Sequence, residues 1–230
     1  GAKVFGAGTS TIEIIGVEEL HDGFVEVIPD RIEAGTYIMI GALIGNNLKI
    51  ENIVEKHLES LLYKLKEAGV KYEINNNSII LSKVEHLKPV NIKTTVYPGF
   101  PTDLQAIAMT LLTTANGVGI ITESLYENRF MQVPDLRRMG ADIHQDRNHA
   151  IVKGVKNLTG ATVAASDLRA GAALVIAGLM ANGQTIVEKL HHIDRGYEEF
   201  EHKLTKLGAK ICRYDDSTEA KIIQEIRGSI

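Results

Sequence analysis

Apolar and polar positions follow the same order three times along the chain. Each copy begins with an aspartate and an apolar segment of helical length, then an Asn/Gly turn and an apolar strand. The three segments are "DRIEAGTYIMIGALIGNNLKI", "DLQAIAMTLLTTANGVGIIT" and "DLRAGAALVIAGLMANGQTIVE", which start at Asp30, Asp103 and Asp167. A helix that is apolar on every side is expected to be buried, so each copy predicts one core helix.

The second half of each copy predicts a helix followed by a β-hairpin. The helical segments end at Gly69, Gly140 and Gly208, where glycine suits the position just after a helix. An alternating strand, a polar turn and a second strand follow each glycine. A short strand is also expected ahead of each aspartate, in "VEVIP", "VNIKTTV" and "ATVAAS". The predicted unit is therefore βαβαββ, which makes the fold class α/β (α+β) with internal repeats.

The opening segment, "GAKVFGAGTSTIEIIGVEEL", matches the hairpin of this unit without its preceding helix. We therefore expect residues 1–28 to be the terminal hairpin of a first lobe that is otherwise missing, and residues 29–230 to form a second lobe of three repeats. The alternative is a native N-terminal hairpin that packs on the first repeat. The glycines of "GAGTS" could suggest a phosphate cradle, but a hairpin turn explains them better because no helix follows.

Composition narrows the class of protein. The net charge of −4 disfavours a nucleic-acid partner, which usually requires a basic surplus. The single cysteine, Cys212, excludes an intrachain disulfide and suits a reducing, cytoplasmic compartment. The longest apolar run, residues 170–181, is too short to cross a bilayer, so no membrane partner is expected. "HHID" has no partner cluster at ligand spacing, so no metal site is expected.

Four motifs, "FPTDLQ", "ITESLYENRFM", "DLRAGAALVIAGL" and "HHIDRGYE", together resemble the UDP-N-acetylglucosamine enolpyruvyl transferase (MurA) family. The resemblance implies two lobes, each an inside-out α/β barrel of three βαβαββ units around a pseudo-threefold axis, with the active site between them. It also implies transfer of the enolpyruvyl group of phosphoenolpyruvate to the 3-hydroxyl of UDP-N-acetylglucosamine, with release of phosphate and no cofactor or metal. This reaction is the committed step towards peptidoglycan. The family's catalytic Cys belongs to the other lobe, and Cys212 does not match it.

Asp103 is the first candidate catalytic residue. A sugar hydroxyl is a poor nucleophile, and a carboxylate within hydrogen-bond reach can accept its proton. The resemblance implies this role for Asp103 and substrate contact for Asp103 and Thr102. The alternative is a helix N-cap, because Asp is a preferred cap and the other two repeats have Asp at the equivalent position.

Three arginines are candidates for binding phosphoenolpyruvate: Arg129, Arg169 and Arg195. Planar guanidinium groups bind phosphate and carboxylate in a bidentate manner, and fixed positive charge stabilises developing negative charge. The resemblance places all three around this substrate and counts Arg195 among the catalytic residues. The alternative is surface ion pairing with neighbouring acids, which are Glu127, Asp167 and Asp194.

The resemblance implies roles for three further residues. Asp167 matches a position tied to proton movement at the methylene carbon, although a helix cap is its alternative role. The backbone near Leu125 matches a contact with the nucleotide sugar. Arg31 lies where the chain would cross between the lobes, where a ligand contact and an interlobe contact are equally compatible with the sequence.

Three other functions stay open at this level. A shikimate-pathway enolpyruvyl transferase of the same fold would need a site for shikimate 3-phosphate. An RNA 3′-phosphate cyclase is also built from such repeats, but the acidic charge disfavours it. A non-catalytic fragment that only binds the UDP-sugar is the third, because a site assembled from two parts loses its chemistry when one is absent.

Overall fold

The computed structural model describes residues 1–214 of the 230. Its strands are β1 (Lys3–Phe5), β2 (Glu13–Ile15), β3 (Leu48–Ile50), β4 (Tyr72–Asn75), β5 (Ser78–Leu81), β6 (Ile92–Lys93), β7 (Val118–Thr122), β8 (Asp142–Asp146), β9 (His149–Lys153), β10 (Thr162–Ala164) and β11 (Ile186–Glu188). Its helices are α1 (Arg31–Ile44), α2 (Glu59–Glu67), α3 (Gln105–Leu112), α4 (Val133–Arg138), α5 (Leu168–Met180) and α6 (Phe200–Lys206).

The three core helices of the repeats form the centre of the molecule, as the sequence predicts. Helices α1, α3 and α5 each contact the other two. Every residue of α3 is buried, and α5 is buried without interruption over residues 170–177. This continuous burial explains why the helices lack the polar face that a surface helix carries.

The strands form a separate sheet in each repeat. The first repeat has the order β3-β5-β4, the second β6-β7-β9-β8, and the third pairs β10 with β11. The interior helix of each repeat packs against strands of its own sheet. Helices therefore lie inside and sheets outside, around three related units, and the sheets do not join into a closed barrel among residues 1–214.

Within residues 1–214, the complete βαβαββ order is seen in the second repeat alone. The strand predicted for "VEVIP" is absent, because residues 1–28 are all exposed and no neighbouring strand pairs with that segment. A strand needs such a partner for its backbone groups. In the third repeat, residues 209–214 form no strand, and the rest of the predicted hairpin lies outside the described residues.

The opening hairpin is confirmed. Strands β1 and β2 pair antiparallel with Lys3 opposite Ile15, and the Thr9 backbone N–H donates to the Gly6 carbonyl at 3.0 Å in the turn. Large apolar side chains of residues 1–28 are exposed, Phe24 to 97% of its full area. Exposed apolar surface of this extent is typical of a contact region.

Over residues 1–214, none of the helices combines the length and the apolar composition needed to cross a bilayer.

Candidate active site

The three equivalent aspartates do not behave alike. The Asp30 side chain accepts a hydrogen bond from the Ile32 N–H at 2.7 Å and caps α1. The Asp167 side chain caps α5 by accepting from the N–H groups of Arg169 and Ala170, at 2.8 and 3.0 Å. Asp103 caps no helix, because it lies inside a 3₁₀ turn, Thr102–Leu104, that precedes α3. The capping alternative is therefore wrong for Asp103 and correct for Asp167.

Two of the predicted arginines meet the free carboxylate of Asp103. Arg129 Nη2 donates to Asp103 Oδ1 at 2.8 Å, and Arg169 Nε lies 3.6 Å from the same oxygen. The Asp103 side chain is 42% exposed, whereas those of Arg129 and Arg169 are 22% and 13% exposed. A partly exposed carboxylate therefore lies beside two largely buried guanidinium groups. Within residues 1–214, neither arginine forms a side-chain ion pair with its alternative partner, Glu127 or Asp167.

Arg169 carries hydrogen-bonding capacity that the described residues leave unused. Its Nε and Nη1 atoms are buried and make no hydrogen bond within residues 1–214. The ion pair with Asp103 at 3.6 Å is too long to be a hydrogen bond, and buried donors without a hydrogen bond are costly, those of a charged group more so. A guanidinium in this state is a strong candidate for binding an anion.

Tyr197 holds Arg169 from the other side. The Arg169 guanidinium lies 5.4 Å from the centre of the Tyr197 ring, a cation–π distance. The Tyr197 hydroxyl lies 2.8 Å from Thr36 Oγ1, and since Thr36 donates its own proton to the Ile32 carbonyl, Tyr197 is the donor. Burial raises the pKa of Tyr197, and the Arg169 charge partly opposes the rise. This contact joins the third repeat to α1.

Arg129, the ion-pair partner of Asp103, also lines an open cleft. The cleft has a volume of about 700 Å³ and includes Leu125, Tyr126 and Arg147 in its walls. The Arg129 guanidinium lies 5.2 Å from the centre of the Tyr126 ring. The cleft therefore offers a cation and an aromatic surface next to the Asp103 carboxylate.

Glu123, which none of the sequence motifs singled out, connects the segments that carry Asp103 and Arg129. Glu123 is buried, with 2% of the residue exposed. Its carboxylate accepts hydrogen bonds from the hydroxyls of Thr94 and Thr102 at 2.6 and 2.8 Å. It also accepts from the backbone N–H groups of Leu125 and Tyr126 at 2.9 and 3.2 Å. One sequence feature could have identified it: Glu123 directly follows the apolar strand "VGIIT". A carboxylate buried at such a position must have hydrogen-bond partners, because burying it without them would be costly.

The structure constrains the roles expected for Leu125 and Thr102. The Leu125 side chain is exposed, and its N–H is already bound to Glu123. A backbone contact with a ligand would therefore use its carbonyl oxygen. The Thr102 hydroxyl is likewise committed to Glu123.

Arg195 and Arg31 are not joined to the Asp103 cluster by contacts between described residues. Arg195 is exposed, and its alternative partner Asp194 is bound by Arg213 at 2.5 Å. Arg31 begins α1, and its guanidinium lies 5.4 Å from the centre of the Tyr97 ring. Tyr97 lies in the loop that leads to Asp103.

Replacing Asp167 tests how much its cap stabilises α5. Asp167→Asn keeps a side-chain oxygen for the cap, so the free energy of unfolding should change little, whereas Asp167→Ala should lose about 1 kcal/mol. Urea unfolding of the 230-residue chain measures both. Equal stability of the alanine variant and the wild type would show that the cap contributes nothing.

No group of three or more His, Cys, Asp or Glu side chains in the described part of the chain is arranged to hold a metal ion.

Comparison with known proteins places the chain in a family. The family model described as EPSP synthase (3-phosphoshikimate 1-carboxyvinyltransferase) matches residues 1–204. The chain therefore belongs to the EPSP synthase family, the enolpyruvyl transferases whose fold the repeats predict.

The individual relatives are more specific than the family. The chain is 52% identical over 224 residues to UDP-N-acetylglucosamine 1-carboxyvinyltransferase 2 of Shouchella clausii, covering 97% of this chain and 52% of the relative. It is 54% identical over 213 residues to the Bacillus anthracis protein of the same name, covering 93% of this chain and 50% of the relative. These relatives confirm the resemblance read from the four motifs, and the chain spans about half their length.

A solved structure supports the fold. The enolpyruvyl transferase NikO from Streptomyces tendae matches with a TM-score of 0.81 and 30% identity, covering 91% of this chain and 50% of that one.

Proposed function

We propose that this chain forms part of a UDP-N-acetylglucosamine 1-carboxyvinyltransferase. The whole protein would transfer the enolpyruvyl group of phosphoenolpyruvate to the 3-hydroxyl of UDP-N-acetylglucosamine and release phosphate, in the cytoplasm, for peptidoglycan synthesis. The first lobe, to which residues 1–28 would belong, would supply the other wall of the site, because the chain spans about half of relatives with that name. The exposed apolar side chains of residues 1–28 would then pack against the rest of that first lobe, whose terminal hairpin they form in this proposal.

The observation that carries this proposal is the pair of cations beside Asp103. Phosphoenolpyruvate bears a phosphate and a carboxylate, and each can accept two parallel hydrogen bonds from a guanidinium. Two buried nitrogen atoms of Arg169 make no hydrogen bond within residues 1–214, although Nε lies 3.6 Å from Asp103, and Arg129 lines an open cleft. The substrate anions would take up the unused donors of Arg169 and compete with Asp103 for Arg129.

The proposed mechanism is addition followed by elimination. Asp103 accepts the proton of the 3-hydroxyl as its oxygen bonds to C2 of phosphoenolpyruvate, while C3 gains a proton. The C2–O bond to phosphate then breaks as C3 loses a proton, which restores the double bond. Arg129, Arg169 and Arg195 stabilise the phosphate as it departs. Asp167 would assist the proton movement at C3, and Thr102, Leu125 and Arg31 would contact substrate.

Phosphate release by the full-length protein that contains this chain tests the proposal. We expect release from phosphoenolpyruvate only when UDP-N-acetylglucosamine is present. Release with shikimate 3-phosphate instead would support the shikimate-pathway alternative. Binding of the UDP-sugar without release by the full-length protein would support a non-catalytic role.

A further inference from the structure

We infer that Glu123 is a positioning residue that sets the distance between Asp103 and Arg129. This inference rests on the proposed function, because it concerns the geometry of that same site. Asp103 and Arg129 are 26 residues apart in sequence and meet through one hydrogen bond of 2.8 Å. Glu123 holds the two segments that carry them.

One carboxylate oxygen of Glu123 holds the segment that carries Asp103. Glu123 Oε2 accepts from the hydroxyl of Thr102, the residue immediately before Asp103, at 2.8 Å. Thr102 and Asp103 both belong to the 3₁₀ turn that precedes α3. Displacement of the Thr102 side chain would therefore move the backbone that carries the Asp103 carboxylate.

The other carboxylate oxygen of Glu123 holds the segment that leads to Arg129. Glu123 Oε1 accepts from the backbone N–H groups of Leu125 and Tyr126, at 2.9 and 3.2 Å. The Tyr126 ring in turn faces the Arg129 guanidinium at 5.2 Å. The carboxylate thus acts on Arg129 through the segment that forms one wall of the cleft.

Thr94 fixes Glu123 itself. The fully buried Thr94 hydroxyl donates to Glu123 Oε1 at 2.6 Å and accepts from the Ser124 N–H at 3.0 Å. The Ser124 hydroxyl also donates to the Thr94 carbonyl oxygen. Because Glu123 follows β7 directly and Thr94 follows β6, the ends of two paired strands anchor the carboxylate.

All four partners of Glu123 are donors, so the site requires an acceptor on both oxygens. A glutamine has the same shape but presents one NH₂ group, which cannot accept a hydrogen bond. With the amide oxygen towards the three donors at Oε1, the NH₂ group would face the Thr102 hydroxyl, which must then turn its proton away and accept instead of donate. The charge-assisted hydrogen bond that holds the Asp103 turn is thereby replaced by a weaker neutral one. Glu123→Gln is therefore a selective change to the Asp103 side.

The kinetic test uses the full-length protein and the phosphate-release assay. We expect Glu123→Gln to lower kcat about 10- to 100-fold, the scale of a small misplacement of reacting groups, with little change in the KM for either substrate. Thr102→Val should give the same decrease, and Thr102→Ser, which restores a hydroxyl, should recover most of kcat. The double variant should be no slower than either single variant, because both remove the same contact. Glu73→Gln, at an exposed glutamate on β4, is the matched control and should be unchanged.

A second measurement does not depend on activity. In ¹H–¹⁵N spectra of the 230-residue chain, Glu123→Gln should shift the backbone amide resonances of Thr102 and Asp103, and Glu73→Gln should not. An inactive wild-type protein would contradict the proposed function. The amide resonances would still show whether Glu123 positions the segment that carries Asp103. Unmoved resonances in a folded Glu123→Gln chain would overturn the inference. If Glu123→Gln fails to fold, a Thr102→Val variant with full kcat in an active protein would overturn it instead.

Discussion

Asp103→Asn is expected to lower kcat for phosphate release by about 10²-fold or more, the scale for loss of a positioned general base. Asparagine keeps the size of the side chain but cannot take the proton of the sugar hydroxyl. It also weakens the ion pair with Arg129. Steady-state kinetics of the full-length protein with UDP-N-acetylglucosamine and phosphoenolpyruvate measure the effect.

The repeat supplies a matched control for this experiment. Asp30 occupies the equivalent position in the first repeat, but its carboxylate caps α1. Asparagine is as good an N-cap as aspartate, so Asp30→Asn should keep both stability and turnover. Near-full turnover by Asp103→Asn would remove Asp103 from the role of proton acceptor.

Arg169→Lys is expected to lower kcat/KM for phosphoenolpyruvate about 10- to 100-fold, which corresponds to losing one hydrogen bond to a charged group. Lysine keeps the positive charge but cannot offer two parallel donors to one anion. The KM for UDP-N-acetylglucosamine should change much less. Initial rates over a grid of both substrate concentrations separate the two effects.

Arg138→Lys is the control for the arginine experiment. Arg138 is exposed and pairs with Asp135 at 2.6 Å on α4, and lysine can keep an ion pair of this kind, which involves a single guanidinium nitrogen. We expect unchanged kinetics for this variant. An unchanged kcat/KM in Arg169→Lys would show that the buried guanidinium does not bind phosphoenolpyruvate.

Local patterns predict the elements well where burial is complete. Helices α1, α3 and α5 follow directly from their apolar sequences, and the hairpins after Gly69 and Gly140 are confirmed. The "VEVIP" strand was wrong because a strand depends on a partner that a local pattern does not contain. The motifs also named the side chains of the Asp103, Arg129 and Arg169 cluster, and the structure brings these three together.

The sequence failed where the answer depended on distant partners. It offered Glu127 and Asp194 as ion-pair partners, but Arg129 binds Asp103, and Asp194 binds Arg213. Glu123 was missed because its hydroxyl partners lie 29 and 21 residues away along the chain.

By itself, the sequence determined the threefold repeat, the buried helices and the charged residues available for chemistry, because these depend on composition and periodicity along the chain. Only the tertiary structure decided which of the three equivalent aspartates does not cap a helix. Asp30 and Asp167 lie just before a helix and accept its first N–H groups, whereas Asp103 lies within a 3₁₀ turn and contacts two arginines. That difference arises from backbone geometry and long-range contacts, which equal positions in a repeat do not specify.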